Sequence, residues 1–132
     1  MPPDPSAPAV IGVPQCLDAQ GRWRPGRQYL YADRAYADAV AQAGGLALHL
    51  PIQGAAEELV ERIDGLLIPG GDDFLPPASC AARYGANIHF DVAPAEQVTF
   101  DNALLAAALA AAKPVLGICY GMQLIALRHG GT

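Results

Sequence analysis

Between residues 115 and 127 the chain changes its period in a way that few folds accommodate. An apolar run over residues 115–118 merges into Gly117-x-Cys119-x-Gly121 and is followed by apolar positions at helical spacing. A buried strand that passes straight into a helix must turn sharply, and small residues on either side leave room for a strained one between them. Read this way, Cys119 sits at the carboxyl end of a strand and the amino end of a helix. The positive end of the helix dipole there favours an anionic sulfur, the reactive form of a thiol. Cys119 is the candidate nucleophile.

The remaining pattern says what that strand belongs to. Residues 10–13, 46–50 and 65–68 are further short apolar runs, continuous rather than alternating, as in parallel strands covered on both faces. With 52% hydrophobic and 16% charged residues, 132 residues suffice for one domain with a sizeable core. Tyr31, Ala35, Ala39, Val40 and Ala43 line one face of a helix that Gly44-Gly45 ends. Residues 55–62 read as a short helix and 97–112 as a long one, ended by Lys113-Pro114. Residues 14–28 and 69–94 read as loops, and 1–9, rich in proline and alanine, as a disordered tail. Strand and helix alternating in this way predict right-handed crossovers and an α/β fold with a central parallel sheet. Reactive groups gather at the carboxyl ends of such strands. Pro69-Gly70-Gly71-Asp72 ends the third strand and Cys119 the fourth.

Several function classes are disfavoured. The net charge is −5, and the eight basic residues are scattered apart from Arg22, Arg24 and Arg27, so no nucleic-acid footprint is expected. The longest apolar run, residues 103–112, is too short to span a bilayer, and the start of the chain lacks the features of a signal peptide. A cytoplasmic protein without a membrane partner is the expectation. Cys16, Cys80 and Cys119 show no metal-ligand spacing; Cys16 and Cys80 read as structural or incidental thiols. Asp72-Asp73 reads as a pair of solvated carboxylates, and neither metal nor cofactor is implied. Trp23, Tyr29 and Tyr31 read as anchors at the start of a core helix, with a substrate mouth as the competing reading.

Two glycines after a buried strand permit positive φ and let backbone N–H groups face open space. Beside a nucleophile, such groups would stabilise the oxyanion of a tetrahedral intermediate. With both motifs in view, the sequence resembles the class I glutamine amidotransferase-like superfamily, and within it the gamma-glutamyl-gamma-aminobutyrate hydrolase-like branch of cysteine peptidases. The resemblance rests on Asp64-Gly-Leu-Leu-Ile-Pro-Gly-Gly-Asp72, Lys113-Pro-Val-Leu-Gly-Ile-Cys119-Tyr-Gly-Met-Gln123 and Gly130-Gly-Thr132. Ile11-Gly-Val-Pro, Tyr36-x-x-Ala39-Val40 and Ala43-Gly44-Gly45 are similar as well. It implies a flavodoxin-like three-layer sandwich. It further implies a gamma-glutamyl thioester on Cys119, an oxyanion hole from the amides of Gly71 and Tyr120, and substrate contacts from Gln123 and Gly70. Gly117 and Gly121 would provide clearance only.

Two departures stand out. The branch usually carries an Arg-Asp-x-Phe-Glu-like segment where this chain has Gln97-Val-Thr-Phe100-Asp101, and often an Arg where Tyr120 stands. The family also supplies a His, with a Glu two residues later, far downstream of the elbow; here thirteen residues follow Cys119. His49, His89 and His129 are poor substitutes. Residues 10–132 are thus expected to form the N-terminal half of one domain, an incomplete sandwich that needs a second chain or fragment and is inactive alone. The substrate expected from the resemblance is a small gamma-glutamyl amide. The alternatives are a glutaminase subunit that delivers ammonia to a synthetase, and a non-catalytic remnant or interaction module.

Overall fold

The computed structural model describes residues 4–75, 83 and 88–131; Cys80 lies outside them. The central sheet contains β1 (Val10–Pro14), β4 (Leu46–Leu50), β5 (Gly65–Ile68) and β6 (Val115–Gly117), all parallel, in the order β4-β1-β5-β6. Counting only these strands, the order is 2-1-3-4, that of a flavodoxin-like doubly wound sheet. Helix α1 (Arg34–Gln42) packs over Val13 and Leu67 through Val40 on one face. Helices α2 (Ala56–Glu61), α3 (Ala95–Ala110) and α4 (Tyr120–Arg128) share the larger core on the other, around Val60, Ile68, Leu104, Leu105 and Leu124. The three-layer α/β expectation is met.

Local chemistry explains the elements. Asp33 caps α1 by accepting the Ala35 amide at 2.8 Å, and Gly44, at φ +85°, lets the chain leave the helix into β4. Gly12 in β1 lies where a Cβ would meet the Ile63 and Leu50 side chains at 2.8 and 2.9 Å, so α2's C-terminal segment can sit close to the strand. Among the described strands, β4 and β6 form the sheet edges. Beside β6 an apolar cleft lined by Ile11, Tyr36, Val40, Leu67, Val115 and Leu116 lies open, and Leu116 is 60% exposed.

Three expectations need correction. Residues 14–28 are not simply loop: β2 (Cys16–Asp18) pairs antiparallel with β3 (Tyr29–Tyr31), and all three β2 residues are buried. Their polar composition hid a strand whose Leu17 amide donates to the buried Gln97 Oε1 at 2.7 Å. Tyr29 and Tyr31 therefore belong to a strand, not to the start of the helix. Tyr31 falls on the apolar period of α1, but the Asp33 cap starts the helix after it, and the spacing of an apolar face says nothing about a cap. The long helix begins at Ala95 rather than 97, behind Pro94, whose fixed φ suits a helix entry.

Candidate active site

The backbone at Cys119 is left-handed, with φ 51° and ψ −105°; Ala112 is the other described non-glycine residue with positive φ. Such a conformation costs about 1–3 kcal/mol and persists only where neighbours enforce it. They do so here from both sides. A Cβ on Gly117 would lie 2.5 Å from the Gly121 carbonyl carbon, and one on Gly121 only 2.1 Å from the Ile68 carbonyl oxygen. Strand β6 and helix α4 are thereby folded tightly back over β5. The Ile118 amide donates to Ile68 O at 3.0 Å and carries the pairing one residue past the strand. Cys119 caps α4 and is exposed.

The Pro69-Gly70-Gly71-Asp72 turn faces it. A Cβ on Gly70 would stand 3.6 Å from Cys119 Cβ, and the Gly70 amide donates to the Tyr36 hydroxyl at 2.9 Å. The amides of Gly71 and Tyr120 have no hydrogen-bond partner among the described residues. Gln123 is exposed one turn along α4, its amide donating to Cys119 O at 2.9 Å. The predicted residues Cys119, Gly70, Gly71, Tyr120 and Gln123 thus cluster where β5 and β6 finish.

Sequence reasoning overlooked the column of buried polar side chains behind the turn. The Tyr120 ring is 1% exposed, stacks on Phe74 at 4.8 Å between centroids, and lies 3.5 Å from the Cβ position of Gly71. Its hydroxyl donates to Asp101 Oδ2 at 2.8 Å; Asp101 Oδ1 is buried without a hydrogen-bond partner among the described residues. Gln97, one helical turn earlier, has Nε2 3.7 Å from the same Gly71 position while Oε1 accepts from Leu17 of β2. Burial pushes the Asp101 carboxyl up to about 7, against the opposing pull of the Tyr120 hydroxyl and the Gln97 amide. Burial likewise raises the Tyr120 phenol. Gln97 and Asp101 at i and i+4, on one face of the helix with Phe100, Leu104 and Leu105 close by, were the available signal.

Other groups tie the turn down. Arg22 forms two hydrogen bonds to Asp72, at 3.2 and 2.8 Å, so Asp72 is paired rather than solvated. Cys16 Sγ lies 3.7 Å from Gly70 O, and burial lifts its thiol to about 11. Trp23 meets Tyr31 edge-on at 4.6 Å and Tyr29 at 6.2 Å, forming an exposed aromatic corner on the β2–β3 sheet. Two of the histidines stand away from the elbow. His49 stands on β4, three strand spacings or about 14 Å across the sheet from β6. His129 caps the far end of α4 and bonds Ile125 O at 2.8 Å, while exposed His89 pairs with Asp91 at 3.2 Å. No group of three metal-ligating side chains occurs among the described residues, and none of their helices is long and apolar enough to cross a membrane.

A doubly wound α/β sheet with a left-handed cysteine between strand and helix, opposed by a Gly-Gly turn, defines the class: an amidotransferase-like fold with an elbow at its strand ends. The peptidase C26 family model matches residues 9–132, and the chain belongs to that family. It is 37% identical over 114 residues to a glutamine amidotransferase-like protein of Rickettsia prowazekii, an alignment covering 80% of this chain and 40% of the relative. It is 32% identical over 127 residues to the gamma-glutamyl-gamma-aminobutyrate hydrolase of Escherichia coli O157:H7, covering 93% of this chain and 47% of the relative. The chain spans less than half the length of either.

Proposed function

We propose that this chain carries the nucleophile half of a gamma-glutamyl amide hydrolase, with Cys119 as the attacking group. The observation behind the reading is the exposed, left-handed Cys119 beside a turn whose Gly71 amide, like that of Tyr120, has no partner among the described residues. In the acylation step the Cys119 sulfur adds to the gamma-carbonyl carbon. The carbonyl oxygen gains negative charge, which the amides of Gly71 and Tyr120 would stabilise, each donor contributing about 3 kcal/mol. The C–N bond then breaks, the amine leaves with a proton, and a glutamyl thioester remains for water to cleave. Gln123 would contact the glutamyl moiety from α4. Gly70, its amide engaged by Tyr36, would supply space beside the sulfur rather than a hydrogen bond.

The proton that the amine takes must come from a general acid–base. With His49 and His129 away from Cys119 and exposed His89 paired with Asp91, that group is proposed to come from a second segment that completes the domain, seated along β6 and the open apolar cleft. The second reading, a glutaminase subunit handing ammonia to a synthetase, is favoured by Tyr120 standing where the hydrolase branch often has Arg.

Labelling with a gamma-glutamyl chloromethyl ketone tests both. Alkylation of Cys119 at least ten times faster than of Cys16, suppressed by excess gamma-glutamyl-gamma-aminobutyrate, is the expected result. Stronger protection by glutamine would favour the second reading. Labelling of Cys119 that no gamma-glutamyl compound suppresses would overturn both.

A further inference from the structure

The two places where the chain departs from its branch, the Gln97–Asp101 segment and Tyr120, are in direct contact. They form one buried column: Leu17 amide to Gln97, Gln97 beside Gly71, Tyr120 to Asp101. At one end of it stand the backbone amides of Gly71 and Tyr120, neither with a hydrogen-bond partner among the described residues. The Tyr120 ring is attached to one of them and packs against the residue carrying the other. We propose that Asp101 is a positioning residue for the Gly71 and Tyr120 amides, acting through the Tyr120 ring and Gln97.

The physical lever is the unpartnered Oδ1. Asp101 is 2% exposed and no cation among the described residues lies against it, so its charged form is costly and its neutral form persists up to about pH 7. Loss of the proton turns the bond from Tyr120 into a shorter, charge-assisted one and draws the ring toward α3. It also attracts the Gln97 amide, which is anchored to β2. The ring and the Gln97 amide both border Gly71, so the two unpartnered amides shift together. The titratable groups facing Asp101 are the Tyr120 phenol from α4 and the Cys16 thiol from β2; burial keeps both protonated in this range. Asp72 and Arg22 lie beyond Cys16 and neutralise each other.

The catalytic meaning of this device rests on the proposed function, but the device itself does not. The test is a pH titration from 5.5 to 8.5 of the backbone amide resonances of the 132-residue chain, with Asp101→Asn and Tyr120→Phe beside it. In the parent chain the Gly71 and Tyr120 amides should share an inflection near 7. Asp101→Asn should abolish it and Tyr120→Phe should reduce it at Gly71 several-fold. Flat Gly71 and Tyr120 amides in the parent, or an inflection that survives Asp101→Asn, would overturn the proposal. If Asp101→Asn does not fold, an undiminished Gly71 inflection in Tyr120→Phe overturns it instead. Chloromethyl ketone labelling of the same samples separates the two claims. An inflection without gamma-glutamyl-dependent labelling keeps the device and removes the hydrolase reading.

Discussion

Gly121 of α4 packs so closely against Ile68 of β5 that a methyl group on its Cα would sit 2.1 Å from the Ile68 carbonyl oxygen. The neighbour is backbone in a central strand, fully buried and paired to β6, so it has nowhere to move. The same contact forces the left-handed turn at Cys119, because it holds the start of the helix against the strand that precedes it in the sheet.

Gly121→Ala should therefore cost about 3 kcal/mol or more of stability, the upper range for overpacking. Urea denaturation reads this directly. A loss under 1 kcal/mol would mean that the elbow can open to admit the methyl group.

The strain stored at Cys119 predicts an unusual ordering. Glycine is free of the left-handed penalty, whereas alanine keeps it. After subtracting glycine's extra unfolded-state entropy, Cys119→Gly should be about 1 kcal/mol more stable than Cys119→Ala. Paired thermal melts decide it, and equal melting temperatures would show an unstrained turn.

Asp101 makes stability depend on pH. Its folded value, about 7, is raised above the ordinary 3.8, so the folded state holds a proton that the unfolded chain releases first. The contribution is fully present below pH 3.8 and is lost as pH rises from there to about 7, a change on the order of 4 kcal/mol. Asp101→Asn lacks this dependence. Relative to the parent, its melting temperature should rise steadily between pH 4 and pH 7 and then level off; parallel curves would refute the assignment.

Arg22→Ala removes the two hydrogen bonds to Asp72. Both side chains keep some solvent contact, so the expected loss is about 1 kcal/mol, smaller at 1 M salt than at low salt. Because the pair anchors the loop after β2 to the Gly70–Gly71 turn, backbone amide exchange at Gly71 should quicken as well. Unchanged exchange would show that the column behind Gly71 holds the turn without this clamp.

Much of this was legible in the linear chain. Continuous apolar runs disclosed the four parallel strands, Gly44-Gly45 ended α1, and the glycine spacing around Cys119 disclosed the elbow, because each depends on residues adjacent in sequence. Strand β2 was not legible. Cys16, Leu17 and Asp18 are too short a run, set in a polar segment, to show a period, and their burial depends on β3 and on Gln97, eighty residues from Leu17.

By itself the sequence determined the order of the four parallel strands and marked the elbow at Cys119, since Gly117 meets Gly121 only four residues along the chain, whereas the clamp of Gly121 on Ile68 belongs to the tertiary fold. Only the tertiary structure decided that Gln97, Asp101 and Tyr120 stand in one buried column, and that Asp72 is paired with Arg22. Hydrogen bonds and desolvation depend on which side chains the fold brings within about 3 Å of one another, and spacing along a chain does not encode that distance.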